Sequence, residues 1–170
     1  MTTLATIPAA MEARFAREVA KYPVEGKSSA VMACLGIIQQ DHGYVSIENE
    51  RLVADYLDMP VIAVHEVVTF YNMYNQQPIG KFKLNVCTNL PCQLRDGQTA
   101  LDYVCKKLGV EAGGTTADGV FTVQQSECLG ACADSPVLLV NDRQMCSFMS
   151  EQRLDELVDV LSSAAKETAR

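Results

Sequence analysis

The chain has 170 residues, of which 48% are hydrophobic and 21% are charged, and this composition is typical of a soluble globular protein with a sizeable core. Its formal net charge of −7 argues against nucleic acid as a partner, since phosphate binding requires a basic patch. No apolar run is long enough to span a bilayer, and residues 1–10 resemble neither a signal peptide nor a transit peptide, so we expect a bacterial, cytoplasmic protein.

The first half of the sequence predicts four helices, because apolar residues recur there at intervals of three and four between turn signals. Proline is expected to open helices at Pro8 and Pro60, and serine is expected to cap the second helix at Ser28 or Ser29. The third helix is expected to begin at Ser46. The residues predicted to face inward in the first three helices are Met11, Phe15, Val19, Val31, Met32, Leu35, Ile38, Leu52, Val53, Tyr56 and Leu57. Short loops between these helices predict a small bundle.

The pattern changes after Pro78-Ile79-Gly80, which predicts a helical domain over residues 1–79 and a second domain over residues 80–170. Residues 82–86 alternate between apolar and polar side chains, which predicts a half-buried strand that ends at Cys87. The other predicted elements are a helix after Asp96-Gly97, strands over 120–125, 137–140 and 144–148, and a helix after Ser150. This order of elements predicts an α/β fold with one small sheet.

Four of the seven cysteines form two close pairs. Cys87 and Cys92 have four residues between them, and Cys128 and Cys132 have three. Each pair follows a predicted strand, so the two loops can converge at one edge of the sheet. Four converging thiolates hold one zinc ion or one iron–sulfur cluster. The spacing alone leaves both metals open, and it also leaves open four unligated thiols; disulfides are disfavoured because the cysteine count is odd and no export signal is present.

Neighbouring residues favour a metal-holding loop. Gly130 lies between Cys128 and Cys132 and lets the backbone approach closely, so we expect N–H groups beside it to point at sulfur. The other cysteines, Cys34, Cys105 and Cys146, are expected to be small hydrophobic residues outside the chemistry. No glycine pattern matches a dinucleotide fingerprint, and we therefore expect no NADH or flavin site on this chain.

The segments Val86–Cys92 (VCTNLPC) and Glu127–Cys132 (ECLGAC) resemble the signatures of the thioredoxin-like [2Fe–2S] ferredoxins. The closest resemblance is to the family of the E subunit of bacterial NADH:quinone oxidoreductase, which is equivalent to the 24 kDa subunit of respiratory complex I. Residues His65–Tyr74 are similar to the helical segment that precedes the ferredoxin part in that family, and Pro78–Lys81 are similar to its connector.

This resemblance implies a helical bundle followed by a thioredoxin-like domain that holds one [2Fe–2S] cluster on Cys87, Cys92, Cys128 and Cys132, with no catalytic side chain. It implies a subunit of a proton-translocating NADH dehydrogenase whose partner, the F subunit, binds NADH and the FMN that exchanges single electrons with the cluster. The other implied partners are peripheral-arm subunits on the cytoplasmic side of the bacterial inner membrane. Nucleic acid and direct membrane contact are not expected.

Two other functions remain open at this point. The nearer one is the equivalent [2Fe–2S] subunit of an NAD-dependent formate dehydrogenase or hydrogenase, which shares this module. The second is a zinc-stabilised adaptor without a redox role, because four thiolates also bind structural zinc.

Overall fold

In the computed structural model, which describes residues 7–168, the α-helices of the first part precede a four-stranded sheet with further helices. The helices are α1 (Ala9–Val19), α2 (Val31–His42), α3 (Ile47–Leu57), α4 (Val61–Phe70), α5 (Leu90–Gln93), α6 (Gly97–Leu108) and α7 (Glu151–Thr168). The strands are β1 (Phe82–Cys87), β2 (Phe121–Ser126), β3 (Leu138–Val140) and β4 (Gln144–Cys146). The chain divides between Pro78 and Ile79 into two compact units.

The first unit is a helical bundle around an apolar core, as the spacing predicted. Phe15, Leu35, Ile38 and Val53 are all completely buried in this core. The sequence predicts that the third helix begins at Ser46, and Ser46 caps it, since its hydroxyl accepts a hydrogen bond from the backbone N–H of Asn49 at 3.3 Å. Within residues 7–168, the structure contains no helix with the length and apolarity that crossing a membrane requires.

The predicted serine cap of α2 is wrong at both Ser28 and Ser29. A 3₁₀ segment over Val24–Ala30 runs directly into α2, and no side chain caps the helix. The backbone N–H of Val31 donates to the carbonyl of Ser28. Because the 3₁₀ turn supplies backbone acceptors at the start of α2, a side-chain cap is not required there.

The second unit contains one mixed sheet in the strand order β2-β1-β3-β4. Strands β1 and β2 are parallel, and the other two pairings are antiparallel. Leu84 and Val86 of β1 share an apolar core with Leu101 and Val104 of α6 and with Leu154 of α7. The predicted α/β fold class, with helices in the first part of the chain, is confirmed.

Strand β1 is buried on both faces, so the predicted half-buried strand is wrong. Lys83 is fully buried and Asn85 nearly so, although their polar side chains alternate with the apolar ones. The carboxylate of Asp142 accepts hydrogen bonds from Lys83 Nζ and from Asn85 Nδ2, each at 2.6 Å. Burial of the ammonium is possible because this carboxylate neutralises it.

Candidate functional site

The four paired cysteines lie where β1 and β2 end. Cys87 is the last residue of β1, and Cys92 lies in the short helix α5 that follows. Cys128 comes two residues after the end of β2, and Cys132 begins a 3₁₀ turn over Cys132–Asp134. Since β1 and β2 are parallel neighbours, their carboxyl ends bring both cysteine segments to the same edge of the sheet.

The four thiols form two pairs that differ in burial. Cys87 and Cys92 are 2% and 1% exposed, and they lie in one buried cluster with Val137. Cys128 and Cys132 are exposed, with their sulfur atoms 3.7 Å apart. In the described part of the chain, no three His, Cys, Asp or Glu side chains are grouped closely enough to hold a single metal ion. The arrangement is therefore a buried pair and an exposed pair of thiols.

Three hydrogen bonds fix the two cysteine segments relative to each other. The backbone N–H of Thr88 donates to the carbonyl of Ser126 at 3.1 Å, which continues the parallel pairing beyond Cys87. The side-chain amide of Gln125 donates to the Thr88 hydroxyl at 2.7 Å, and that of Asn89 donates to the Glu127 carboxylate at 2.8 Å. These contacts hold the loop after β1 against the end of β2 and the first residue of the loop that follows it.

Backbone N–H groups point at the sulfur atoms, as the sequence predicted around Gly130. The N–H of Gly130 donates to Cys128 Sγ at 3.4 Å, and the N–H of its neighbour Leu129 donates to Cys87. Gly130 has a φ of +79°, a left-handed conformation that glycine adopts without steric cost. Donors of this kind stabilise negative charge on sulfur, whether it is a free thiolate or a metal ligand.

Burial and hydrogen bonding act differently on the individual thiols. Burial raises the pKa of Cys87 above its ordinary value. Burial also opposes ionisation of Cys92, but hydrogen bonding with the Ser135 hydroxyl, the backbone of Val137 and the Cys87 side chain outweighs it and lowers the pKa of Cys92. The hydrogen bond with Cys128 raises the pKa of Cys132. Within the buried pair, Cys92 is therefore the thiol whose surroundings favour the thiolate.

Sequence reasoning missed two residues that shape the buried pair. A Cβ atom at Gly97 would lie 2.8 Å from the carbonyl oxygens of both Cys87 and Cys92, so only glycine fits there. The Ser135 hydroxyl lies 3.3 Å from Cys92 Sγ and 2.7 Å from the Cys132 carbonyl oxygen. The pattern Asp96-Gly97 indicates a helix start but not this close approach, and no local signal in the sequence distinguishes Ser135 from other loop serines.

A further observation fits a sulfur-rich group at this site. The Ser126 hydroxyl is buried and has no hydrogen-bond partner among residues 7–168. Ser126 pairs with Cys87 in the parallel register, so both side chains lie on the same face of the sheet. A buried polar group without a partner often marks the place of an ion or cofactor. Sulfur atoms of a [2Fe–2S] cluster beside Cys87 would accept this proton, and two thiol pairs suit two irons.

The remaining cysteines lie elsewhere. Cys34 is completely buried in the core of the first unit, and burial raises its pKa to about 12. Cys105 and Cys146 are half-buried against the core of the second unit, and burial raises the pKa of each. Each of these three thiols therefore stays protonated at neutral pH, as expected of small hydrophobic residues.

Comparison with known proteins adds a family match that covers most of the chain. The family model described as thioredoxin-like [2Fe-2S] ferredoxin matches residues 15–162. The E subunit of NADH-quinone oxidoreductase from Rickettsia prowazekii is 39% identical over 142 residues, which cover 83% of this chain and 80% of that protein. Subunit 2 of NADH-quinone oxidoreductase from Thermus thermophilus is 37% identical over 139 residues, with coverages of 82% and 77%.

The fold also resembles part of a larger solved protein. The crystal structure of an NAD+-reducing [NiFe]-hydrogenase in the H2-reduced state superposes with a TM-score of 0.65 and 17% sequence identity. The superposition covers 78% of this chain but only 22% of the hydrogenase chain. At this identity the likeness concerns the fold alone.

Proposed function

The chain belongs to the thioredoxin-like [2Fe–2S] ferredoxin family, and from this premise we propose that it is an electron-transfer subunit of NADH:quinone oxidoreductase. The relatives that are 37% to 39% identical over most of their length carry that name. The observation that supports the proposal is that the parallel neighbours β1 and β2 each lead into a segment with a pair of thiols, with N–H donors at sulfur.

In this proposal Cys87 and Cys92 hold one iron, and Cys128 and Cys132 hold the other. When bound, a [2Fe–2S] cluster accepts and returns one electron at a time. The chain orients the four sulfurs, keeps water from the buried pair and directs N–H groups at sulfur to stabilise the added negative charge. No side chain has to act as an acid, a base or a nucleophile.

The proposal extends to the assembly. The cluster exchanges electrons with the FMN of a partner, the NADH-binding F subunit, and this chain has no NADH or flavin site of its own. Other subunits of the peripheral arm surround it on the cytoplasmic side of a bacterial inner membrane. Residues 1–79 form the helical domain and residues 80–170 the cluster-binding domain.

The first test is anaerobic loading of the purified full chain with iron and sulfide. We expect two irons and two sulfides per chain, a brown protein, and an EPR signal from one unpaired electron after reduction. The matched control is Cys105→Ser, which removes a thiol from the same unit outside the site and is expected to load equally well. Stoichiometric zinc in a colourless protein would contradict the proposal and support the zinc-stabilised adaptor.

The second test separates the respiratory enzyme from its relatives. The fold likeness to an NAD+-reducing hydrogenase keeps a hydrogenase or formate dehydrogenase subunit as the second candidate. A tagged full chain, purified gently from its own cells, is expected to bring down the other chains of NADH:quinone oxidoreductase, including the one that binds flavin. Recovery of hydrogenase or formate dehydrogenase chains instead would select the alternative, and cluster loading would stand in both cases.

A further inference from the structure

Ser135 connects the buried thiol pair to the exposed one. Its side chain is 1% exposed, and it follows the 3₁₀ turn that begins at Cys132. The hydroxyl oxygen lies 3.3 Å from Cys92 Sγ and 2.7 Å from the carbonyl oxygen of Cys132. One buried hydroxyl therefore touches a sulfur of one pair and the backbone of the other.

When the Cys92 thiol is protonated, a continuous series of hydrogen bonds can pass through this hydroxyl. The Cys92 thiol can donate to Ser135 Oγ, and the Ser135 hydroxyl donates to the Cys132 carbonyl. The thiol and the hydroxyl each donate their single proton once, so neither donor is left unpaired.

When Cys92 ligates iron, its thiol proton is released to the solvent. The Ser135 hydroxyl is then left with one proton and two acceptors, the Cys92 sulfur and the Cys132 carbonyl. The sulfur now carries negative charge, and hydrogen bonds to charged acceptors are roughly twice as strong as those between neutral groups. The carbonyl does not lose its last donor, because the backbone N–H of Ser135 also reaches the Cys132 oxygen, at 3.4 Å.

We propose that, when the site holds its cluster, the Ser135 hydroxyl turns from the Cys132 carbonyl to the Cys92 sulfur and raises the reduction potential of the cluster. This inference rests on the function proposed above. An O–H donor withdraws charge from the ligand sulfur, and it stabilises the reduced cluster more than the oxidised one because the reduced cluster carries one more negative charge. Ser135 is thus a positioning residue that acts through Cys92.

The test is an EPR-monitored redox titration of three anaerobically loaded full chains: wild type, Ser135→Ala and Ser147→Ala. At the wild-type midpoint, the ratio of reduced to oxidised cluster is expected to fall about tenfold in Ser135→Ala, which corresponds to about 59 mV for one electron. For Ser135→Ala, pulsed EPR in D2O is expected to detect one exchangeable deuteron fewer near the cluster than for the wild type. Ser147→Ala removes a hydroxyl that donates to Asp134 and not to sulfur. This control should keep the wild-type midpoint and the wild-type deuteron signal.

Several outcomes would overturn the inference. A Ser135→Ala chain with an unchanged midpoint and an unchanged deuteron signal would assign Ser135 a packing role only. Should Ser135→Ala fail to keep the cluster, Ser135→Thr, which retains a hydroxyl, decides the matter. A threonine variant that loads with the wild-type midpoint supports the inference, and one that loads with a lowered midpoint or does not load contradicts it. A wild-type chain that never takes up iron and sulfide would instead refute the proposed function itself.

Discussion

The two cysteine pairs are built by different means. Cys87 and Cys92 are buried, lie on a strand end and a helix, and receive hydrogen bonds from the backbone N–H groups of Asn89, Leu129 and Val137. The exposed pair, by contrast, lies in a loop and a single 3₁₀ turn. The two halves of the candidate site therefore differ in burial, because one pair lies in the interior and the other at the surface.

This difference has a consequence for the proposed cluster. A buried ligand that is lost leaves a cavity and unpaired N–H donors that no solvent molecule replaces easily. An exposed ligand that is lost can be replaced by water or hydroxide from the solvent. We therefore expect the buried half to control retention of the cluster and the exposed half to control its access to partners and solvent.

The largest expected effect comes from replacing one ligand of each pair in turn. Cys92→Ser is expected to lower the iron and sulfide content after anaerobic loading by at least about tenfold, because ligand geometry in the buried half cannot adjust. Cys128→Ser is expected to retain a clearly larger share of iron with an altered EPR signal, since solvent reaches that position. Iron and sulfide analysis of both variants, beside Cys105→Ser as control, measures the difference. An equal loss of iron and sulfide in Cys92→Ser and Cys128→Ser would show that the buried and exposed pairs contribute equally to retention of the cluster.

The second prediction concerns Gly97, the first residue of α6. Gly97→Ala places a Cβ within 2.8 Å of two carbonyl oxygens of the buried pair, and these are backbone atoms that cannot rotate away. We expect the metal-free chain to lose about 2 kcal/mol of its free energy of unfolding, as overpacking typically costs. Urea unfolding of the metal-free chain measures the loss, and cluster content after loading should fall with it.

The control for Gly97 is another helical glycine with open space around it. Gly36 lies in the middle of α2, and a Cβ there would meet nothing within 4 Å. Gly36→Ala is therefore expected to stabilise the chain by about 0.5–1 kcal/mol through its higher helix propensity. If Gly97→Ala did not lower the free energy of unfolding relative to Gly36→Ala, the close packing of Gly97 against the carbonyls of Cys87 and Cys92 would not contribute to stability.

The sequence predicts well the helices and strands and the location of the cysteine pairs at strand ends and in the loops that follow. Both depend on local patterns. Apolar spacing identifies the four helices of the first unit, and the resemblance of the two cysteine segments identifies the family. The Ser46 cap follows from a residue type at a helix start, which is a local signal. Features of this kind need no knowledge of distant contacts.

The sequence does not predict features that depend on distant partners. The burial of Lys83 requires Asp142, which a turn between β3 and β4 brings to β1. Similarly, Gly97 and Ser135 matter because the fold places them against Cys92. The unequal burial of the two pairs belongs to the same class, since it arises from how the loops after β1 and β2 pack and not from the spacing of the thiols.

A smaller effect is expected at Ser126, whose buried hydroxyl has no partner among the described residues. Ser126→Ala is expected to stabilise the metal-free chain by about 1 kcal/mol, because it removes an unsatisfied buried polar group. The cluster-loaded chain should gain less, since a cluster sulfur beside Cys87 would accept this proton. Thermal unfolding of both forms measures the two gains, and an equal gain in both would show that Ser126 does not face the cluster.

Thr122 offers a control of opposite sign on the same strand. Its hydroxyl accepts a hydrogen bond from the backbone N–H of Gly80 at 2.6 Å and also bonds the Thr115 hydroxyl at 2.7 Å. Thr122→Val keeps the shape but removes this acceptor, so it should destabilise the metal-free chain. A stabilising Thr122→Val would mean that buried hydroxyls on β2 are unfavourable whether or not they are paired.

The smallest expected effect is a loss of folding stability in acid that depends on Asp155. We expect it not to change the difference in burial between the two cysteine pairs. Hydrogen bonds from Lys107 and Tyr103, both on α6, hold the pKa of Asp155 on α7 below its ordinary value. Because the folded pKa is lowered, the stabilisation is complete above the unfolded pKa of about 3.9 and is lost as the pH falls through the folded value. The difference in urea midpoint between wild type and Asp155→Asn should therefore be largest near neutral pH and shrink below about pH 4.

Thiol labelling of the same two metal-free chains at neutral pH shows whether this contact affects the comparison. Lys107 and Tyr103 lie in the C-terminal half of α6. Gly97, the first residue of α6, is the residue of this helix that packs against the backbone of the buried pair. Loss of the Asp155 contact should therefore weaken the second unit without exposing Cys87 and Cys92. We expect Cys128 and Cys132 to react first in both chains, with the same ratio of rates between the pairs. If the labelling rate of the exposed pair relative to the buried pair fell in Asp155→Asn, the packing of the whole of α6, and not only the contact at Gly97, would protect the buried pair from solvent.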